Sequence, residues 1–168
     1  MENGVGVSAG EGTISQEQAV APQLAAGDYL PPSLAAGAGY LLARAGGRAI
    51  SDFNRALQAH GMRSRHYTVL VVAVEDGNRS QREMGVLLGI DPSAIVAIVD
   101  DLAREGLVRR EPHRDDRRSR RIVATPAGRA RLTEIHTVAT AINEGLLRNL
   151  DDAERRVFLD LLVRVAHG

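Results

Sequence analysis

The sequence predicts a mainly α-helical fold with one small β-hairpin, and three local patterns support that prediction. Residues 80–88 form a short helix that an S-x-x-E capping box opens and a glycine closes. A second helix begins at Asp91-Pro92, where a capping aspartate precedes a first-turn proline, and it stops at Gly106. Two β-prone runs joined by a charged loop follow at 107–124. Two capped helices across a short joint are typical of a helix-turn-helix, and the hairpin is then its wing.

Two further helices and an extension precede this pair. Residues 1–32 are rich in Gly, Ala, Gln and Pro and contain few apolar residues, which predicts a flexible N-terminal extension. Apolar residues recur at helical spacing over 33–60, and Gly61 follows as a C-cap, so we expect one long helix there. Another helix is expected over 65–74, ending in the turn formed by residues 76–78.

Two C-terminal helices follow the wing. Thr125-Pro126 again places a cap before a first-turn proline, and the apolar face beyond it extends to Leu150. Asp151 and Glu154 repeat the capping box for a terminal helix. The predicted order is therefore α-α-α-α-β-β-α-α. Helices with this much apolar surface need more cover than a monomer of 168 residues offers, which predicts a homodimer.

The charge of the chain is concentrated in one place. Lys and Arg together number 21 and match 21 Asp and Glu, so the formal net charge is zero, which alone disfavours nucleic-acid binding. From Leu107 to Arg131, however, nine Arg face three acidic residues. A local basic excess of this kind beside a helix-turn-helix favours duplex DNA as the partner.

Several classes of function are disfavoured by residues that the sequence lacks. Without cysteine there is no disulfide or thiol chemistry. The five His show no metal-binding spacing, and neither a nucleophile motif nor a glycine-rich phosphate loop is present, so we expect no metal, no cofactor and no enzyme activity. The chain has no apolar run of membrane length and no Lys or Arg in residues 1–43, which predicts a cytoplasmic protein that does not contact membranes.

The candidate DNA contacts lie on the two capped helices and on the wing. On the helix that begins at Asp91-Pro92, we expect the apolar face in the core and the polar face at base edges. Asp100 on that polar face repels phosphate unless a neighbouring Arg neutralises it. An Arg at the hairpin tip is suited to the narrow minor groove. The expected contacts are Ser80, Ser93, Ala94, Ala97 and Arg104 on the helices and Arg114, Arg117, Arg118 and Arg120 on the wing, with Asp116 bracing the wing arginine.

The wing segment GLVRREPHRDDRRSRRIVATPAG resembles the wing of MarR-type transcriptional regulators. The matching features are a GLV-R start ending at Arg110, an Asp-x-Arg-Ser tip at 116–119 and a Thr-Pro-x-Gly exit at 125–128. The resemblance extends from about Ser33 to the C-terminus. It implies an obligate homodimer on a pseudo-palindromic operator, often a repressor that a small aromatic or phenolic ligand releases. One departure is Val96-Ala97, where relatives often carry Ser or Thr and Arg, so base readout by this helix is expected to be weak.

The expected organisation therefore has four parts. They are a flexible extension, a first dimerisation helix, a winged helix-turn-helix lobe and two C-terminal dimerisation helices, at 1–32, 33–62, 63–125 and 126–168. Tyr40, Arg44 and His66 are the candidate effector contacts, because an Arg pairs with a carboxylate or phenolate and a His offers donor chemistry that depends on pH. The alternative function is a winged-helix protein-interaction module without DNA binding, which the weak recognition face and zero net charge favour.

Overall fold

A computed structural model describes residues 30–113 and 118–167 of the chain. The chain divides into two compact units between Ala43 and Arg44. The described elements are α1 (Pro32–Ala35), α2 (Ala38–Leu57), a 3₁₀ turn (Gln58–His60), α3 (Ser64–Glu75), α4 (Gln81–Leu88), α5 (Pro92–Arg104), β1 (Val108–Pro112), β2 (Arg120–Ala124), α6 (Pro126–Leu146) and α7 (Asp152–His167).

The first helical segment is interrupted, so the prediction of one continuous helix over 33–60 is wrong. The four residues of α1 are separated from α2, and the N–H of Gly37 bonds to the carbonyl of Leu34 at 3.1 Å in a tighter turn than an α-helix makes. Glycine is a poor helix former, which allows the break to fall here. The predicted C-cap is confirmed, since Gly61 has φ 66°. Residues 1–29 lie outside the described residues, so the flexible extension stays a prediction.

The helix-turn-helix is capped as predicted. The N–H of Ser80 donates to Oε2 of Glu83 at 2.7 Å, and the N–H of Glu83 donates to Oγ of Ser80 at 3.3 Å, which completes the capping box of α4. The N–H of Ser93 donates to Oδ1 of Asp91 at 2.8 Å and caps α5. Gly89 closes α4 with φ 60°. These contacts set the boundaries of both helices within a residue of the predicted ones.

The hydrophobic core fills the space between α3, α4, α5 and the hairpin. The predicted inward face of α5 is confirmed, because all four of its residues are buried: Ile95, Ile98, Val99 and Leu102. They pack with Val69 and Leu70 of α3 and with Ile122 of β2. Phe53 of α2 and Tyr67 of α3 add an edge-to-face ring contact with centroids 5.0 Å apart.

The two strands of the wing are antiparallel, with Arg110 opposite Ile122. β1 lies one residue later than predicted, at Val108–Pro112, and β2 is at the predicted residues. The N–H of Ile122 also donates to the carbonyl of Arg79 at 2.8 Å, which joins the hairpin to the turn before α4. The base of the wing is therefore fixed to the helical lobe.

The exit from the wing into α6 requires a glycine. Oγ1 of Thr125 accepts from the N–H of Gly128 at 3.0 Å, which confirms the predicted cap. A Cβ atom at position 128 would lie 2.0 Å from the carbonyl oxygen of Leu107. The backbone of α6 thus approaches the start of the hairpin more closely than any side chain permits.

The two C-terminal helices leave much of their apolar surface uncovered. The capping box between Asp151 and Glu154 is confirmed, with two hydrogen bonds of 2.9 Å. Helix α6 ends at Leu146, earlier than the apolar pattern suggested. In α7 no residue is buried, and its exposed large apolar residues are Val157, Phe158, Leu159, Leu161, Val163 and Val165.

Candidate nucleic-acid interface

Helix α5 turns its polar face to solvent. Ser93, Ala97, Asp100 and Arg104 are exposed, opposite the buried face. The hydroxyl of Ser93 donates to Oδ1 of Asp91 at 2.6 Å, so in this arrangement it offers DNA only its acceptor lone pairs. The hydrogen bonds from the side chain and backbone of Ser93 also hold the pKa of Asp91 below its usual range.

The negative charge of Asp100 is neutralised by an arginine of the wing. Arg110 in β1 forms an ion pair with Asp100 and donates from Nε to Oε1 of Gln81 at 3.2 Å. One guanidinium thereby joins β1, α4 and α5. Asp100 thus has the neighbouring Arg that was expected to neutralise it, and α5 is braced against the wing.

An arginine-rich cleft of about 830 Å³ lies between α4 and the wing. Four Arg and one Glu are among its lining residues, and of the arginines Arg79 forms an ion pair with Asp76, so the lining carries a net positive charge. The capping hydrogen bonds from Ser80 keep Glu83 ionised by lowering its pKa. The lining residues are Arg79, Ser80, Gln81, Arg82, Glu83, Val86, Leu87, His113, Arg118, Ser119 and Arg120.

The stem of the wing is held by ion pairs that the sequence analysis missed. Arg121 is half-buried, donates from Nη2 to Oε2 of Glu111 at 2.6 Å and from Nη1 to the carbonyl of Gly77 at 3.1 Å. Arg109 donates from Nε to the other oxygen of Glu111 at 2.7 Å. These two arginines, Arg109 first, lower the pKa of Glu111. Arg109 and Glu111 are only two residues apart on β1, whereas Arg121 and Glu111 are ten apart and are brought together by the strand register.

The predicted contacts of the lobe fall into three groups. Arg118 and Arg120 are exposed on the hairpin beside the cleft, and Ser80 lines that cleft while capping α4. Arg104 is exposed at the end of α5 and donates from Nη1 to Oδ1 of Asp101 at 2.7 Å. The remaining wing residues, Arg114, Arg117 and the bracing Asp116, lie outside the described residues.

A second cavity, of about 360 Å³, lies between α2, the start of α3 and α5. Its cationic and hydrogen-bonding side chains are contributed mainly by the turn into α3. Its lining residues are Ile50, Asn54, Arg63, Ser64, Arg65, His66, Ala94, Ala97 and Ile98. The Asn54 side chain fixes the start of α3, because its Oδ1 accepts from the N–H of Ser64 at 2.7 Å.

This cavity includes one of the three predicted effector residues, His66. Arg44 is not among its lining residues, and Tyr40 belongs to the first compact unit. Ala94 and Ala97, expected at DNA, line the cavity as well, and Ala97 is also exposed, so the cavity adjoins the polar face of α5. The arginines at 63 and 65 were not singled out from the sequence, where a two-residue spacing before a helix carries no distinctive pattern.

The sequence and the fold match one family of known proteins. A family model described as MarR family matches residues 60–119, which include the helix-turn-helix and most of the wing. A transcriptional regulatory protein for the hcr operon of Thauera aromatica is 30% identical over 134 residues, which are 79% of this chain and 81% of that protein. The chain belongs to the MarR family.

Solved structures of MarR-family regulators share this architecture. A transcriptional regulator of the MarR family from Rhodococcus sp. RHA1 is 35% identical with a TM-score of 0.70, covering 77% of this chain and 93% of that one. CouR from Rhodococcus jostii RHA1, solved with p-coumaroyl-CoA, is 34% identical with a TM-score of 0.73, covering 81% and 96%. A transcriptional repressor also named CouR, solved bound to a 23-mer DNA duplex, is 31% identical with a TM-score of 0.72, covering 83% of this chain and 99% of that one. The predicted mainly α fold with a winged helix-turn-helix is confirmed.

The MarR relatives are transcriptional regulators, so regulation of transcription is the class of function to which this chain belongs. Across residues 30–113 and 118–167, no helix is long and apolar enough to cross a membrane.

Proposed function

We propose that this chain is a homodimeric repressor that binds a pseudo-palindromic duplex operator and acts without catalysing a reaction. The arginine-lined cleft between α4 and the wing is the observation that supports this most strongly, because it offers phosphates a cationic surface in the same lobe as α5, a helix of groove-binding size. The proposed contacts are those predicted from the sequence, namely Ser80, Ser93, Ala94, Ala97, Arg104 and the wing arginines.

In the proposed complex, α5 and the wing contribute unequally to DNA recognition. Two alanines and a valine at the start of α5 provide apolar contact to thymine methyl groups and little hydrogen bonding. Arg118 and its wing neighbours supply charge and reach into the minor groove, where the width of the groove carries sequence information. Recognition by this protein therefore depends more on the wing and on DNA shape than on the major groove.

The proposed effector is an aromatic acid or its thioester, bound in the cavity between α2, α3 and α5. Arg63 and Arg65 favour an anionic group there, His66 offers a hydrogen bond, and Ile50 and Ile98 provide apolar walls. The relative CouR is solved with p-coumaroyl-CoA, which combines an aromatic ring with phosphates. Binding on α5 from inside the lobe gives such a ligand direct access to the proposed DNA-binding helix.

A second candidate function is a protein-interaction module. Val86 is 79% exposed and Val96 is 46% exposed on the helix-turn-helix, where a regulator that reads bases usually presents polar side chains. This alternative predicts binding that does not weaken steeply as salt rises, since few counterions are released.

The deciding experiment measures DNA affinity against salt for Arg118→Ala and for Arg164→Ala. Arg164 is an exposed arginine of α7 and controls for the loss of one positive charge. We expect Arg118→Ala to weaken binding by roughly 1 to 3 kcal/mol and to flatten the salt dependence, with an unchanged melting temperature. Fluorescence anisotropy on a footprinted genomic site measures both quantities.

The same assay tests the bracing role of Asp116. If that carboxylate orients Arg118, Asp116→Ala causes a smaller loss and the double variant is less than additive. Equal losses in Arg118→Ala and Arg164→Ala would reduce the wing to a nonspecific cationic patch. No loss in either variant would favour the interaction module.

A further inference from the structure

Helix α5, the recognition helix of the proposed function, forms one wall of the cavity between α2, α3 and α5 in which we place the effector. Ala94, Ala97 and Ile98 of α5 line it, and Asp101 follows on the same side of the helix one turn later. On the facing wall, His66 in the first turn of α3 places Nε2 at 3.4 Å from Oδ2 of Asp101. This contact joins the cavity to α5 across 35 residues of sequence.

Within the described ranges, His66 has an unpartnered ring nitrogen with which an occupant of the cavity can form a hydrogen bond. Its side chain is 19% exposed, and its Nδ1 is buried with no hydrogen-bond partner among the residues that the structure describes. In a neutral ring, the nitrogen that faces a carboxylate carries the proton, so Nδ1 is an unsatisfied acceptor. A buried acceptor without a partner is unfavourable, and a rotation of the ring toward an occupant of the cavity relieves that cost.

A movement of His66 affects Arg104 through Asp101, whose carboxylate contacts both side chains. Its two carboxylate oxygens are divided between His66 and Nη1 of Arg104, which lies 2.7 Å away and is 73% exposed. When His66 turns away, the whole charge of Asp101 acts on Arg104. The guanidinium is then held more strongly by its own helix and is less available to a phosphate.

We propose that His66 is the positioning residue through which an occupant of the cavity controls the recognition helix. With the cavity empty, the His66–Asp101 contact is made and α5 is set for DNA. An aromatic acid whose phenolic hydroxyl donates to Nδ1 draws His66 from Asp101, and DNA affinity falls. This inference rests on the proposed function, because it assumes that α5 binds DNA.

The first test needs no ligand. Operator affinity is measured for the parent, His66→Ala, Asp101→Asn and the double variant, each with its melting temperature. We expect His66→Ala to weaken DNA binding about tenfold, and the effect to vanish in the Asp101→Asn background, because an asparagine carries no charge to act on Arg104. His66→Gln, which keeps an N–H donor for Asp101, is expected to restore most of the affinity. His136→Ala removes an exposed imidazole from α6 and serves as the control.

The second test uses p-coumaroyl-CoA and free p-coumarate as probes. The ratio of operator affinities without and with the probe is compared between the parent and His66→Gln, while calorimetry follows binding of the probe itself. We expect the ratio to fall toward one in His66→Gln, while the probe still binds, though more weakly by the hydrogen bond that Nδ1 made, because Arg63 and Arg65 hold its anionic group. If neither probe binds the parent, the ligand-free cycle decides.

The outcomes distinguish a failure of the proposed role of His66 from a failure of the proposed operator binding. Additive effects of His66→Ala and Asp101→Asn, or an unchanged probe response in His66→Gln, would overturn the inference and leave DNA binding standing. A parent that binds no operator would overturn both. Non-additive loss with unchanged melting temperatures supports the inference, since a merely structural role would lower the melting temperature as well.

Discussion

Helices α5 and α7 each carry an apolar face, which is buried in α5 and exposed in α7. In α5, Ile95, Val99 and Leu102 are at most 2% exposed. In α7, Leu161 is 48% exposed and Val165 is 66% exposed. Both helices begin at a capping aspartate, so the difference lies in what covers the apolar side chains.

The comparison shows which part of the molecule is complete in one chain. The helix-turn-helix lobe covers α5 with α3, α4 and β2, and its core has its own buried cluster. The described part of the chain provides α7 with no comparable cover. An exposed apolar helix face of this size is typical of an interface, which supports the proposed dimer.

The largest expected effect comes from placing a charge on the uncovered face. Leu161→Glu removes a buried leucine from each copy of the proposed interface, about 2 kcal/mol per side chain, so we expect the dimer to weaken by about 4 kcal/mol, or about a thousandfold. Sedimentation equilibrium measures this loss. The control is Ala153→Glu, an exposed position in the first turn of the same helix.

The lobe should remain folded when the dimer is lost, which sharpens the comparison. Circular dichroism of the Leu161→Glu monomer should show a cooperative transition from the core around α5. A dimer that survives Leu161→Glu would mean that α7 is covered in some other way. If the lobe unfolds when the dimer is lost, the lobe depends on the partner chain as much as α7 does.

The next effect lies where the lobe meets α6. Gly128→Ala places a methyl group 2.0 Å from the carbonyl oxygen of Leu107, and we expect a loss of about 3 kcal/mol in the free energy of unfolding. Gly145→Ala in the same helix has open space around the new methyl group and should gain up to about 1 kcal/mol through helix propensity. Urea denaturation of both variants measures the contrast, and equal effects would contradict the close approach at Gly128.

The smallest effect is the acid sensitivity of the lobe. The pKa values of Glu83 and Asp91 are lowered in the folded state by their capping hydrogen bonds. Their contribution to stability is therefore complete above the ordinary values of 4.5 and 3.8, and it is lost as the pH falls through the lower folded values. We expect unfolding free energy to decline below about pH 4.5, by less than the loss in Gly128→Ala.

Asp91→Asn isolates one of these caps. Asparagine caps a helix about as well as aspartate, so stability at neutral pH should be nearly unchanged while the acid loss becomes shallower. Thermal melts from pH 3 to 7 test the expectation. An unchanged acid profile would show that the carboxylate of Asp91 contributes nothing to the pH dependence.

Much of the site could be anticipated because its determinants are local. The capping residues at 80, 91 and 125 bond to backbone groups two or three residues away, so their pattern in the sequence fixes where α4, α5 and α6 begin. The apolar spacing of α5 identified its buried face for the same reason. The basic excess of the wing is visible in the sequence without any knowledge of its partners.

The contacts that shape the site were decided by the tertiary structure. Arg110 meets Asp100 and Gln81, and Arg121 meets the carbonyl of Gly77, across 10 to 44 residues of sequence, so no local pattern reveals them. The break before α2 was missed because apolar periodicity continues through Gly37. The cavity, too, exists only once α2, α3 and α5 are packed together. Local hydrogen bonds and helical periodicity determine the elements of this protein, whereas the pairing of its charges, the need for glycine at 128 and the uncovered face of α7 follow from distances that only the packed chain sets.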